Sequence, residues 1–134
     1  MRIARELYEQ ILAHARAEAP NECCGIVATN GDGGAARVFP ATNKFASPLR
    51  FEIDEHDLIR IWRAIDEDDL ELGAIYHSHT RTPPEPSQTD INGAAQWPGA
   101  LWIIVGLAAD SEDPDVRTWA IDDGRVSQVE LAVE

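Results

Sequence analysis

Apolar residues in the first part of the chain recur at the spacing of an α-helix. An apolar side chain stands every three or four positions, at Ile3, Leu7, Ile11, Leu12 and Ala15. This repeat is typical of a helix that buries one face. Pro20 then interrupts the pattern, so we expect an amphipathic helix from Ile3 to Ala17.

Short apolar runs separated by turn residues follow this helix. The run "CCGIVAT" is stopped by "NGDGG" and followed by "AARVFPATN", which predicts two antiparallel strands joined by a tight hairpin. Arg50 to Ile53 is expected to form a third short strand. Asp54 can then cap a second helix, whose apolar face we expect at Leu58, Ile61, Trp62 and Ile65, and which the acidic residues 66–69 end.

The second half of the chain alternates strands with one short helix. "ELGAIYHSH" and "ALWIIVGLA" read as strands, with "SQTDINGAAQ" as a helix between them. "VRTWAID" and "RVSQVELAV" predict a closing hairpin across "DG". The chain shows no internal repeat and no long linker, so we expect a single domain over residues 1–134. Its class is α/β or α+β, with a mixed central β-sheet flanked by helices.

Composition and charge narrow the range of functions. The formal net charge is −13, which disfavours binding to nucleic acid or to an anionic membrane. No signal-peptide pattern or membrane-spanning run is evident, which favours a cytoplasmic protein. The two cysteines, Cys23 and Cys24, are adjacent and cannot build a disulfide framework, in keeping with a reducing compartment. We interpret them as small buried apolar residues.

Candidate chemistry is concentrated in "YHSHTRTPPEPSQTD". Residues two apart on a strand point to the same face, so His77 and His79 can converge on one metal ion. A catalytic zinc site commonly has three protein ligands, and Asp90 is the natural third. The prolines of the intervening loop restrict its backbone and can hold the segment from Ser87 to Asp90 in place.

Each of these features also has a purely structural interpretation. "SQTD" is a capping box, with Ser87 at the N-cap and Asp90 at the third helical position. Two histidines at the end of a strand can be satisfied by ordinary hydrogen bonds. Capping and ligation are compatible, however, because a capped Asp90 would be held in a defined orientation.

A hydrolytic zinc site also needs a general base beside the attacking water. Glu22, in "PNECCGIV", is the candidate, although a glutamate at that place can equally be a solvated residue at the start of a strand. His14 and His56 lie on the two long helices, and we expect both at the surface.

Taken together, these positions resemble the motif of the JAMM (MPN+) metalloproteases. Glu22 is followed by His77-Ser78-His79, seven intervening residues, Ser87, two more residues and Asp90, and the context of Glu22 reads "P-x-E-x-C-G". The element order is also similar to that family's cytidine-deaminase-like fold. The resemblance implies that His77, His79 and Asp90 bind Zn²⁺, that Glu22 acts as general base, and that Ser87 donates to the developing oxyanion.

The same resemblance implies a substrate. Enzymes of this family cut after the C-terminal Gly-Gly of ubiquitin or of a ubiquitin-like β-grasp protein, and the compact chain is similar to the bacterial branch that acts on sulfur-carrier proteins. Release of cysteine from such a carrier is the expected activity. A non-catalytic scaffold of the same fold is one alternative. A zinc deaminase is another, but the Cys-x-x-Cys pair and His-x-Glu that such enzymes use are absent from the sequence.

Overall fold

The computed structural model describes residues 1–109 and 112–134. A mixed six-stranded sheet lies at its centre, with the strand order β3-β2-β4-β5-β6-β7. In chain order the elements are β1 (Arg2–Ile3), α1 (Arg5–Glu18), β2 (Cys24–Thr29), β3 (Ala35–Ala41), α2 (Glu55–Glu67), β4 (Glu71–His79), α3 (Gln88–Gly93), a 3-10 turn (Ala94–Gln96), β5 (Leu101–Gly106), β6 (Asp115–Asp122), β7 (Arg125–Val129) and β8 (Ala132–Val133). The expected mixed sheet flanked by helices is confirmed.

The two faces of the sheet bury different sets of apolar residues. Helix α1 covers one face through Ile11, Leu12 and Ala15, which pack with Val27 and Tyr76. Helix α2 covers the other face through its buried side chains, and the turn after α3 adds to this second cluster. Cys23 and Cys24 are both buried, one in each cluster, because successive strand residues point to opposite faces.

Both predicted hairpins are present. Strands β2 and β3 pair antiparallel, and Gly33 takes a positive φ of 81° in the loop between them. Strands β6 and β7 pair antiparallel across Asp123 and Gly124, whose φ angles of 50° and 77° fit the tight turns that suit twisted strands.

Three predictions of local structure are wrong. The first helix begins at Arg5, because Ile3 instead belongs to β1, which pairs in parallel with β8. The final predicted strand is correspondingly split into β7 and β8. Arg50 to Ile53 forms no strand, and only Ile53 makes an isolated bridge, to Asn43.

Helix α2 starts where the sequence predicts. The Asp54 side chain accepts hydrogen bonds from the backbone N–H groups of His56 and Asp57, which caps the helix. Ile61 and Ile65 are buried as expected, but Trp62 is 46% exposed and lies outside the buried face.

Among the described residues, no helix is long and apolar enough to cross a membrane.

Candidate metal centre

His77 and His79 lie at the C-terminal end of β4, one of the two central strands of the sheet. Both are buried, with exposed fractions of 0% and 5%. Strand β4 is flanked by β2, whose ladder reaches His77, and by β5, whose ladder reaches His79. The two imidazoles point to the same face, as their spacing predicts.

Asp90 reaches this point from the first turn of α3. The Ser87 Oγ accepts the backbone N–H of Asp90 at 3.1 Å, and the Asp90 Oδ2 accepts the backbone N–H of Ser87 at 2.9 Å. The predicted capping box is therefore present. The capping box holds the Asp90 carboxylate facing the end of β4, where the residue is only 8% exposed.

Three potential ligand atoms converge on one point. The Nε2 atoms of His77 and His79 are 3.1 Å apart, and the Asp90 Oδ2 lies 3.2 Å from the first and 3.0 Å from the second. Ligands at zinc distances of about 2.0–2.1 Å on a tetrahedron are separated by roughly 3.3 Å. The triangle is thus close to one face of such a tetrahedron, and its two-imidazole, one-carboxylate donor set fits a zinc site.

The protonation of these groups suits metal binding. The His79 Nδ1 lies 2.8 Å from the Pro83 carbonyl oxygen and donates to it, so Nε2 is the atom that faces the centre. Burial lowers the pKa of His79, but hydrogen bonds to Asp90 and Pro83 outweigh it and raise that pKa, so a metal ion would replace the proton on Nε2. Burial disfavours charge on Asp90, but hydrogen bonds from His77 and His79 outweigh it and hold the pKa well below the usual range. Asp90 is therefore an ionised carboxylate. Burial lowers the pKa of His77 and favours its neutral form.

Glu22 lies beside these histidines, in the segment that leads into the neighbouring strand β2. Strand β2 pairs with β4 so that Cys24 faces His77, and continuing this antiparallel register brings Glu22 opposite His79. The hydrogen bond from the Cys23 N–H to the Ser78 Oγ, 2.9 Å, shows that the strands stay adjacent beyond the ladder. Paired residues share a face of the sheet, so Glu22 points to the side that carries the imidazoles.

The environment of Glu22 is unusual for a carboxylate. The residue is only 5% exposed, and its Oε1 has no hydrogen-bond partner among the described residues. Burial, together with the negative charge of Asp90, raises its pKa to about 7, against an opposing effect of His79. A carboxyl group with a pKa near neutrality is suited to exchanging protons at physiological pH. The interpretation of Glu22 as a solvated strand residue is therefore wrong.

A cleft opens beside Asp90, one of the three candidate ligands. It measures about 290 Å³ and lies between the loop before α2 and the α3 segment. Asp90 and Gly93 form part of one wall, and the aromatic rings of Phe45, Phe51, Trp97 and Trp102 form most of the rest.

The structure confirms the expected surface position of His56 and contradicts that of His14. His56 is exposed, as expected. His14 is not at the surface, because its side chain is only 13% exposed and its Nδ1 lies 2.7 Å from the Tyr76 hydroxyl oxygen. His14 follows Ile11 by one helical turn, and this spacing could have indicated its position near the buried face of α1.

Sequence reasoning missed the residues that surround the ligands. Phe51 stacks on His77 with ring centroids 4.4 Å apart, and the Pro83 carbonyl orients His79. Asn43 hydrogen-bonds the backbone of Glu22. The proline-rich loop indicated a rigid segment that includes Pro83. No pattern in the sequence indicates the contacts made by Phe51 and Asn43.

The fold and this site define a compact α/β protein with a His-His-Asp group for a metal ion. A family model described as prokaryotic homologs of the JAB domain matches residues 4–122. The chain belongs to this prokaryotic JAB family.

Similar proteins agree with this assignment. A CysO-cysteine peptidase from Mycobacterium tuberculosis is 35% identical over 127 residues, covering 94% of this chain and 86% of the relative. A desampylase from Pyrococcus furiosus is 31% identical over 114 residues, covering 84% and 76%. The solution structure of a protein from Desulfitobacterium hafniense, 28% identical, superposes with a TM-score of 0.86 over 100% of this chain and 93% of the other.

Proposed function

We propose that this chain is a zinc-dependent hydrolase that cuts the peptide or isopeptide bond after the C-terminal Gly-Gly of a ubiquitin-like β-grasp protein. In this proposal, its physiological reaction is the release of cysteine from a sulfur-carrier protein in the cytoplasm. The observation that carries the proposal is the convergence of His77, His79 and Asp90 beside the buried carboxyl group of Glu22.

Each of the five motif residues has a role in the proposed reaction. His77, His79 and Asp90 hold the zinc ion, which when bound polarises the scissile carbonyl and lowers the pKa of a water. Glu22 accepts a proton from the attacking water and passes it to the leaving amine. Burial raises the pKa of Glu22 to about 7 in the metal-free protein, and a bound zinc ion would lower it, which favours the ionised form that accepts the proton.

Ser87 is proposed to stabilise the oxyanion that forms during attack. Its Oγ already accepts the N–H of Asp90, so the hydroxyl proton stays available for donation outwards. The residue is exposed and can meet a substrate carbonyl. One well-aimed donor of this kind can contribute about 3 kcal/mol in the transition state.

The substrate class is supported by the cleft and by the similar proteins. The aromatic cleft is lined in part by Asp90, and we propose that it receives the extended tail of the substrate. Two relatives are named as a CysO-cysteine peptidase and a desampylase.

The two cysteines are free and buried, which supports a reducing compartment. We also propose that residues 1–134 act as one domain.

The test uses the zinc-loaded protein and β-grasp carriers from the same genome. Each carrier is supplied with cysteine on its C-terminal Gly-Gly and, separately, with an isopeptide-linked lysine. Intact mass spectrometry should show loss of the added group and a free Gly-Gly end. The Glu22→Gln variant should retain zinc and lose most turnover. Zinc-loaded protein that cleaves none of these substrates would overturn the proposal and favour a binding scaffold. A fully active Glu22→Gln variant would instead overturn the role of Glu22 as general base.

A further inference from the structure

The two imidazoles of the metal centre are held in different ways. The His79 Nδ1 donates to the Pro83 carbonyl, the kind of hydrogen bond that usually orients a metal-binding histidine. The corresponding Nδ1 of His77 is buried and has no hydrogen-bond partner in the described part of the chain. Within the described residues, the His77 ring has hydrogen-bond contacts only through Nε2, to His79 and Asp90, and a metal ion would replace these.

Aromatic packing surrounds that ring. Phe51 stacks on His77 with a centroid distance of 4.4 Å and an interplanar angle of 26°. Trp102 approaches in a T-shaped arrangement at 6.5 Å and 78°. A ring with a stacked neighbour on its face cannot turn about its side-chain bonds without losing that contact.

We propose that Phe51 is a positioning residue for His77 and takes the place of the missing hydrogen bond to Nδ1. Its ring fixes the plane of the imidazole, and thereby the direction of the Nε2 lone pair towards His79 and Asp90. The inference rests on the metal-binding part of the proposed function. It does not depend on the identity of the substrate.

The loop that carries Phe51 is well anchored. The Asn43 side chain uses all of its hydrogen-bonding capacity: Nδ2 donates to the carbonyls of Glu22 and Arg50, both at 3.0 Å, and Oδ1 accepts the N–H groups of Phe45 and Glu52 at 3.1 and 3.2 Å. These bonds fix the backbone on both sides of Phe51. The loop has no strand partner along Arg50–Phe51, so the side chain of Asn43 supplies the order that a β-ladder would give.

The experiment measures metal affinity rather than turnover. Phe51→Ala, Phe51→Leu and Phe51→Tyr are compared with the unchanged protein by competition for zinc against a chromophoric chelator. Cobalt-loaded samples are examined by visible absorption, which reports ligand geometry. Phe45→Ala is the matched control, because Phe45 lies in the same loop and lines the same cleft but packs on the Arg50 guanidinium, whose central carbon is 3.9 Å from its ring centroid.

We expect Phe51→Ala and Phe51→Leu to weaken zinc binding by roughly ten-fold or more, the effect typical of losing a group that orients a ligand. Their cobalt spectra should change, whereas Phe51→Tyr and Phe45→Ala should match the unchanged protein. Zinc affinity within two-fold in every variant, even with reduced thermal stability of the metal-free protein, would overturn the inference and leave the proposed function intact. An unchanged protein that binds no zinc would overturn both.

Discussion

The same oxygen of Asp90 caps its helix and faces the imidazole of His79. Oδ2 accepts the backbone N–H of Ser87 at 2.9 Å and lies 3.0 Å from the Nε2 of His79. The two interpretations of "SQTD", a capping box and a ligand-bearing segment, are therefore both consistent with one geometry. The cap orients the carboxylate before a metal ion arrives, which reduces the conformational entropy that binding must remove.

Asp90→Asn separates these two roles. The amide oxygen can still accept the Ser87 N–H, so the helix should remain, but a neutral amide is a poorer zinc ligand than a carboxylate. We expect the zinc content after dialysis to fall well below one equivalent while the far-ultraviolet circular dichroism stays unchanged. Full zinc occupancy in this variant would contradict the assignment of Asp90 as a ligand.

Ser87→Ala tests the oxyanion donor. The change removes a capping acceptor, which costs about 1 kcal/mol of stability, and it removes the hydroxyl that we propose donates in the transition state. The expected result is a fall in kcat of roughly 10²-fold or more with zinc content preserved. Ser87→Thr, which keeps a hydroxyl, serves as the control for capping. Equal kcat values for the alanine and threonine variants would rule out the donor role.

Much of the site could be predicted from the sequence because its spacings are local. The alternation of a strand places His77 and His79 on one face, and the capping box places Asp90 in the first turn of a helix. Both follow from backbone periodicity alone. Glu22 could be selected only by its resemblance to a motif, because its place opposite His79 depends on how β2 and β4 pair.

The incorrect predictions share one physical cause, which is contact between residues far apart in the chain. Arg50–Ile53 has the composition of a strand, but Phe51 instead packs on His77 and the Asn43 side chain bonds the flanking backbone. His14 appears polar and exposed until Tyr76 is brought beside it. The contact with Tyr76 has no local signal, although the position of His14 three residues after Ile11 indicates that it lies near the buried face of α1.

Glu22→Gln should alter stability in a pH-dependent way in the metal-free protein. Burial raises the pKa of Glu22 to about 7 from 4.5, so between these values the folded protein keeps a proton that the unfolded chain has lost. The stability of the unchanged protein therefore falls as the pH rises through this window. The Glu22→Gln variant does not lose stability in this way. Its free energy of unfolding, relative to that of the unchanged protein, should therefore rise by about 3 kcal/mol by pH 8, at about 1.4 kcal/mol per pKa unit.

Urea unfolding of chelator-treated protein at a series of pH values measures this difference in stability. At about pH 4 both side chains are neutral in both states, so the titration contributes no difference there. A stability difference that is constant from pH 4 to pH 8 would mean that the carboxyl group of Glu22 titrates normally.

The two cysteines should be unreactive in the folded protein. Burial raises the pKa of the Cys23 thiol to about 12, and it raises that of Cys24 as well. The thiolate is the nucleophilic form, so almost none is present at neutral pH. Incubation with iodoacetamide at pH 7.5 should leave the intact mass unchanged, whereas unfolding in urea should allow two additions. Rapid labelling of the folded protein would show that one thiol is accessible.

Gly25→Ala should destabilise the protein for reasons unrelated to catalysis. Gly25 faces Tyr76 across the β2–β4 ladder, and a Cβ at position 25 would overlap the Tyr76 ring, which is fully buried. Overpacking of this kind typically costs about 1–3 kcal/mol. Gly31→Ala is the matched control, because a Cβ there meets nothing within 4 Å.

The cause can be isolated with a double-mutant cycle. In a Tyr76→Ala background the added methyl group has space, so the cost of Gly25→Ala in chemical unfolding should largely disappear. The glycine of "P-x-E-x-C-G" would then be explained by packing against Tyr76, while Glu22 in the same segment is the residue that faces the metal centre. An equal loss of stability in both backgrounds would instead mean that the backbone conformation of β2 requires glycine at position 25.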